Sequence, residues 1–142
     1  MQFSIDIYAT KEKVWDTLRQ DETFREWASI IDPGTYMVGD LEVGNEIQFL
    51  SASGYGVTSL VEKLVPNEFL LLRHQADTQD SGKRERKKEW TGGEESYTLA
   101  EKNGTTTLTV AFGVPPELEE YFQTNYPKAL ERVKFFAEGT NT

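Results

Sequence analysis

The fold is decided by the stretch from Pro115 to Gly139, which reads PPELEEYFQTNYPKALERVKFFAEG. Apolar residues recur in it at steps of three and four, which is the spacing of one face of an α-helix. Two prolines and a glutamate are typical of a helix start, and Gly139 is typical of a helix end. The predicted apolar stripe comprises Leu118, Tyr121, Phe122, Tyr126, Ala129, Leu130, Val133, Phe135 and Phe136. A helix of about twenty residues spans roughly 30 Å, enough to cross a small domain.

Pro127 lies inside this helix. A proline has no amide to bond the Gln123 carbonyl, and its ring crowds the preceding turn. We therefore expect a kink at Pro127. The kink either bows the helix and enlarges the space beneath it, or is simply tolerated and solvated by water.

The chain upstream begins with a strand and two short helices. Residues from Gln2 to Tyr8 alternate between apolar and polar, which predicts a half-buried strand. Thr10 is suited to cap the first helix and Asp21 to cap the second. Asp32-Pro33-Gly34 then predicts a stop.

From Thr35 to Phe112 the apolar runs have strand length and are separated by glycine-containing turns. Asn103-Gly104 predicts a two-residue hairpin turn, because both residues accept a positive φ. Between His74 and Trp90 the alternation disappears, which predicts a long polar loop. With only one long helix available, we expect an α+β fold in which a curved antiparallel sheet of about seven strands grips the C-terminal helix.

Composition narrows the classes of function. A chain of 142 residues fits one domain, residues 1–142. A net charge of −9 makes nucleic acid a poor partner, and the absence of cysteine removes disulfides and thiolate metal sites. We predict no cofactor, no metal site and no membrane insertion. The start has neither the basic region nor the apolar run of a signal peptide, so we expect a cytoplasmic protein.

Seven segments, in this order, carry a family resemblance. They are TKEKVWDTL (10–18), FREW (24–27), VGNEIQF (43–49), VEKLVP (61–66), ESYTL (95–99), GTTTL (104–108) and YPKALERVK (126–134). Together they resemble the START-like or SRPBCC superfamily, which shares its helix-grip fold with the birch-pollen allergen. Within it, the sequence is most similar to bacterial homologues of the activator of Hsp90 ATPase.

The resemblance implies a cavity between the long helix and the concave sheet. Across the superfamily such cavities take up lipids, sterols, polyketides or other apolar molecules, and some relatives are cyclases or hydrolases. The eukaryotic activators bind the chaperone. None of these properties follows from the composition or spacing of this chain.

Aromatic residues on the elements that border the expected cavity are the candidate ligand contacts. They are Trp27, Tyr36, Trp90, Tyr97, Phe122 and Tyr126, and we add His74. For each of them the alternative is that it simply packs in the core, because aromatic side chains at helical or strand spacing usually do so. Trp90 differs, since no core periodicity demands it: it covers the cavity mouth or is exposed for a partner.

Catalysis has little support in the sequence, and we assign no catalytic residue. His74 is the only histidine, and no cysteine is present to complete a nucleophilic or zinc site. We expect His74 at a strand end on the rim of the sheet, where it makes a single hydrogen bond. The neighbouring acids Glu94-Glu95 and Glu119-Glu120 point in different directions, so we interpret them as solvated charge.

The sequence thus predicts non-enzymatic binding of a small hydrophobic or aromatic molecule, in a cavity of about 300 Å³ or more. One alternative is a protein-interaction module related to the Hsp90 ATPase activators. Such a module would present the Trp90 loop or the acidic helix face to a protein partner or to a second copy in a homodimer. Another alternative is a cyclase-like or hydrolase-like enzyme that uses His74.

Overall fold

A computed structural model of the chain describes residues 1–52, 56–79, 83–85, 93–114 and 116–139. The strands in these residues are β1 (Gln2–Ile7), β2 (Tyr36–Val38), β3 (Glu46–Leu50), β4 (Gly56–Val65), β5 (Phe69–Gln79), β6 (Lys83–Glu85), β7 (Glu94–Lys102) and β8 (Thr105–Phe112). The helices are α1 (Lys11–Arg19), α2 (Asp21–Ala28) and α3 (Glu119–Gly139), and a 3₁₀ turn at Pro116–Leu118 precedes α3.

The strands form one curled antiparallel sheet in the order β1-β8-β7-β5-β4-β3-β2, and β6 pairs with the C-terminal end of β5. The helix α3 packs against β1 and against both short helices. A single apolar core joins the inner face of the sheet to the three helices. The predicted α+β helix-grip fold, with a sheet of about seven strands, is therefore confirmed.

The hairpin between β7 and β8 has the predicted turn. Asn103 and Gly104 both have positive φ, at 54° and 78°. Lys102 and Thr105 are paired across the turn. A twisted antiparallel pair favours this backbone geometry, and Asn-Gly is the dipeptide that adopts it most readily.

The polar stretch that follows His74 is not the continuous loop that we predicted. The strand β5 continues to Gln79, and β6 pairs with it through Asp77↔Glu85, Thr78↔Arg84 and Gln79↔Lys83. The pairing was invisible to the sequence because main-chain hydrogen bonds between strands do not require an apolar face. Residues 80–82 and 86–92, including Trp90, lie outside the described residues.

The two short helices occur where they were predicted. The Thr10 hydroxyl accepts a hydrogen bond from the Lys13 amide at 3.3 Å, as an N-cap does. Asp21 is not the cap of α2, however, because Gln20 occupies that position and makes no side-chain cap bond. Asp21 instead lies in the first turn, where its negative charge suits the helix dipole.

The helix α3 continues through Pro127, and its buried residues are Tyr126, Ala129, Leu130, Val133 and Ala137. A kink at Pro127 stays a prediction. Tyr121 and Phe135 were wrongly placed in the buried stripe, since they are 46% and 61% exposed. Phe135 follows Val133 by two residues, a rotation of about 200°, and so lies on the opposite side of the helix.

Candidate ligand-binding cavity

A cavity of about 200 Å³ lies between α2, the inner face of the sheet and α3. Its walls carry seven aromatic rings: Phe24, Trp27, Phe49, Tyr97, Phe112, Phe122 and Tyr126. The aliphatic side chains that line it are Ala28, Ile31, Leu50 and Val57, and the polar ones are Asp32, Thr35, Ser51, His74 and Glu95. The cavity is thus largely apolar with a few polar groups, the usual composition of a small-molecule site.

Strand and helix periodicity explain how these side chains meet. Glu95 and Tyr97 are two residues apart on β7, so both point to the inner face. Phe112 of β8 is the register partner of Glu95. Phe122 and Tyr126 are four residues apart on α3, so both face the sheet. The cavity lies where the inner face of the sheet meets this face of α3.

The aromatic rings pack against one another around the cavity. Phe112 is the centre of one group, with ring centroids 4.9 Å from Tyr126 and 5.4 Å from Phe122. Phe24 is the centre of another, at 5.1 Å from Trp27 in an edge-to-face pair and 5.7 Å from Phe49. Such contacts hold the rings in place and present rigid apolar walls.

Glu95 lies at the centre of a polar cluster on the cavity wall. The Tyr97 hydroxyl donates a hydrogen bond to Glu95 Oε2. His74 Nε2 lies 3.4 Å from Glu95 Oε1. The cluster therefore joins the neighbouring strands β5 and β7.

Burial raises the pKa of the Tyr97 and Tyr126 hydroxyls far above the ordinary range, and the negative charge of Glu95 adds to the effect. Both phenols therefore keep their protons at neutral pH. They act as hydrogen-bonding groups and carry no charge in the cavity.

A second carboxyl group, that of Asp32, borders the cavity where the chain leaves α2. Burial raises the pKa of Asp32, and a hydrogen bond with the Ser51 side chain works in the opposite direction. The cavity thus has one carboxyl group on β7 and another beyond α2.

Five of the seven predicted ligand contacts border the cavity, and they are Trp27, His74, Tyr97, Phe122 and Tyr126. Tyr36 is not among the lining residues; the Arg25 guanidinium lies 5.1 Å from the centroid of its ring. Trp90 falls outside the described residues. That these side chains contact a ligand remains a prediction.

The position of His74 differs from the one predicted. His74 lies within β5 and is only 3% exposed, so it is not a rim residue at a strand end. The strand continues past it because β4 pairs with β5 as far as Thr78, and β6 pairs with the end of β5 from Asp77 to Gln79. His74 therefore lies inside the ladder, where it is paired with Ser59 of β4.

Glu95 is one of the cavity residues that were not predicted from the sequence, and Phe24, Phe49 and Phe112 are others. We interpreted Glu94 and Glu95 together as solvated charge, which is wrong for Glu95, whose side chain is 18% exposed. Glu94 does point outward, where it pairs with Arg73 at 2.8 Å. Glu95 alternates with the buried Tyr97 and Leu99, and this period of two was the signal that could have placed it on the inner face.

The cavity is smaller than the predicted 300 Å³ or more, at about 200 Å³. Large aromatic side chains take up much of the space that smaller residues would leave open. A separate void of about 30 Å³ shares Phe24, Trp27, Phe49 and Tyr97 with the main cavity. These four side chains therefore separate the two voids.

In the part of the chain that the structure describes, His, Asp and Glu side chains form no group of three that could hold a metal ion. Within the same residues, no helix combines the length and apolar character that crossing a bilayer requires.

The model for activator of Hsp90 ATPase homolog 1-like proteins matches residues 8–142. The chain belongs to this family. The predicted superfamily is thereby confirmed. Comparison with curated proteins finds no match.

Solved structures of the same fold include the Aha1 dimer from Colwellia psychrerythraea, with 20% identity and a TM-score of 0.72 over 100% of this chain and 98% of that one. DynU16, from the dynemicin biosynthetic locus, has 14% identity and a TM-score of 0.72 over 98% of this chain. The present chain covers only 47% of DynU16. CalU16 from Micromonospora echinospora has 14% identity and a TM-score of 0.65, over 96% of this chain and 74% of that one. At sequence identities this low, the similarity to these structures shows a shared fold and nothing about function.

Proposed function

We propose that the chain binds a small apolar or aromatic molecule in the cavity between the sheet and α3, without catalysing its reaction. The observation that carries the proposal is the wall of seven aromatic rings around a space of about 200 Å³. An apolar cavity of about 150 Å³ can hold benzene. The present cavity therefore suits a ligand of about one or two fused rings.

The solved structures of the same fold add support of a general kind. DynU16 is a protein of the dynemicin biosynthetic locus. A small organic ligand is in keeping with such a relative. The choice among lipid, polyketide and other aromatic ligands is left to experiment.

The proposal can be tested by filling the cavity. Ala28 borders it and is 5% exposed, so the substitution Ala28→Phe places a ring in the ligand space. Isothermal titration with 2-(1-naphthyl)ethanol should give saturable binding to the wild type. The variant should bind at least about tenfold more weakly, a loss of about 1.4 kcal/mol.

The matched control is Ala100→Phe, which adds the same ring at an exposed position on β7. It should bind the probe as the wild type does. Unchanged affinity in Ala28→Phe, or an equal loss in both variants, would contradict binding in the cavity. Thermal melting of both variants shows whether they are folded.

Acid–base catalysis is a second candidate, favoured by the contact of 3.4 Å between His74 Nε2 and Glu95 Oε1 beside the cavity. A histidine and a carboxylate at a ligand site can move a proton to or from a bound molecule. Its test is the substitution His74→Ala in any turnover found for this protein. Unchanged turnover would remove His74 from the mechanism.

A second copy of the chain is a further candidate partner, favoured by the dimer that the Colwellia protein forms. Tyr121 and Phe135 lie on the exposed side of α3, at 46% and 61% exposure. Sedimentation velocity should show a dimer that the double substitution Tyr121→Ser and Phe135→Ser dissociates. A wild-type protein that sediments only as a monomer would exclude this partner.

A further inference from the structure

Acidic side chains outnumber basic ones among the described residues that line the cavity. Asp32 and Glu95 supply carboxyl groups, and the phenols Tyr97 and Tyr126 stay neutral. No lysine or arginine is found among the described residues that line the main cavity. A ligand with a carboxylate would therefore meet acids and lose water without gaining a lysine or arginine partner.

Glu95 has acceptor capacity left for a ligand. It accepts a hydrogen bond from Tyr97 on Oε2, and His74 lies 3.4 Å from Oε1. An ionised carboxylate has about four lone-pair sites. Because its side chain is 18% exposed and borders the cavity, Glu95 can offer the remaining sites to a donor on the ligand.

The rings beside Glu95 favour a cation as well. Phe112 is the register partner of Glu95, and its ring centroid lies 4.9 Å from that of Tyr126. The faces of aromatic rings attract an ammonium group through the ring quadrupole. A positive group next to Glu95 would thus meet a carboxylate and aromatic rings together.

The electrostatic field of the whole molecule also favours a cationic ligand. The net charge of −9 raises the concentration of cations near the surface and lowers that of anions. This effect does not select a position in the cavity, so it must be separated from the effect of Glu95 by a control of equal charge.

From this geometry we infer that the cavity selects an apolar or aromatic amine in its protonated form, with the ammonium group at Glu95 and the apolar part against the aromatic walls. This inference rests on the proposed binding function and specifies the class of its ligand. It excludes fatty acids and other carboxylates as preferred ligands.

The test uses three probes that share one ring system and differ in a single group: 2-(1-naphthyl)ethylamine, 2-(1-naphthyl)ethanol and 1-naphthylacetic acid. Titration calorimetry at pH 7.5 should give the tightest binding for the amine, weaker binding for the alcohol and the weakest for the acid. Charge-assisted hydrogen bonds lead us to expect a preference of about tenfold or more for amine over alcohol.

Glu95→Gln keeps the size of the side chain and removes its charge. This variant should lose most of the preference for the amine, while its affinity for the alcohol changes little. Glu94→Gln is the matched control, since it removes one charge from the adjacent residue, which points outward and pairs with Arg73. It should keep the preference.

The results separate this inference from the proposed function. If the acid binds as tightly as the amine, or if Glu95→Gln keeps the preference, the inference is overturned while binding in the cavity stands. If none of the three probes binds the wild type, the proposed function is overturned and the inference with it. Because the comparison of probes uses the wild type, it stays decisive even if Glu95→Gln does not fold.

Discussion

On the outer face of the sheet, the Arg73 guanidinium connects three neighbouring strands. Its Nε and Nη2 atoms donate to both oxygens of Glu62 on β4, at 2.7 and 3.1 Å. Nη2 also donates to Glu94 on β7 at 2.8 Å. A two-pronged contact of this kind fixes the relative position of planar groups better than a single bond does.

These hydrogen bonds from Arg73 hold the pKa of Glu62 below its ordinary value. Because the pKa is lowered in the folded state, the pair stabilises the protein above the unfolded pKa of Glu62. That contribution is lost as the pH falls through the folded pKa. Titration of Glu62 by NMR should give a low midpoint, and Arg73→Gln should return it toward the ordinary value.

The control for this titration is Arg19→Gln, which removes an exposed arginine that pairs with Asp16 on α1. It should leave the Glu62 midpoint where it is. A midpoint that moves equally in both variants would show that net charge, and not the contact with Arg73, lowers the pKa.

Gly56 is another residue whose identity is dictated by its surroundings. A Cβ atom at this position would lie 1.6 Å from the Phe49 carbonyl oxygen of the paired strand. Since a backbone atom cannot move aside as a side-chain tip can, Gly56→Ala should reduce the free energy of unfolding by about 3 kcal/mol. Urea denaturation measures the change.

Gly113 offers the comparison for this substitution, because a Cβ there meets no heavy atom within 4 Å. Gly113→Ala should change the free energy of unfolding by no more than about 0.5 kcal/mol. Equal losses in the two variants would show that the close approach at Gly56 is not what excludes a side chain.

Among the elements, α3 stabilises the fold through one face only. Leu130 is 2% exposed and Val133 is fully buried, whereas Phe135 is 61% exposed. The larger apolar residue is therefore the less important one for stability. Burial, and not hydrophobicity alone, decides how much a substitution on this helix costs.

Leu130→Ala should consequently lower the free energy of unfolding by about 2–5 kcal/mol, through lost transfer energy and a residual cavity. Phe135→Ala should change it by less than about 0.5 kcal/mol. Thermal or urea denaturation of both variants provides the comparison. A larger loss for Phe135→Ala than for Leu130→Ala would show that the buried face of α3 has been assigned to the wrong side of the helix.

Over the whole molecule, local signals were sufficient to predict the architecture. The Asn103-Gly104 turn and the apolar stripe around Val133 each depend on neighbours in sequence, and both were confirmed. The pairing of β6 with β5 could not be predicted in this way, because its side chains follow no apolar alternation. Pairing of polar strands leaves little trace in a sequence, even where the two strands are neighbours along the chain.

The candidate site could also be predicted in part from local sequence patterns. Five of the seven chosen side chains border the cavity because aromatic residues on inward-facing elements tend to meet there. Tyr36 was misplaced because a three-residue strand carries too little pattern to show its inner face. The volume of about 200 Å³ depends on how large side chains interlock, which periodicity does not determine.

The central claim is that the cavity holds a small apolar or aromatic ligand, and the most direct test maps where a probe binds. NMR titration with 2-(1-naphthyl)ethanol should give saturable shifts at the Trp27 indole Nε1–H and the Tyr97 amide, with little change at the exposed Phe135. Shifts confined to Phe135 and its neighbours, or no saturable shifts at all, would contradict the account.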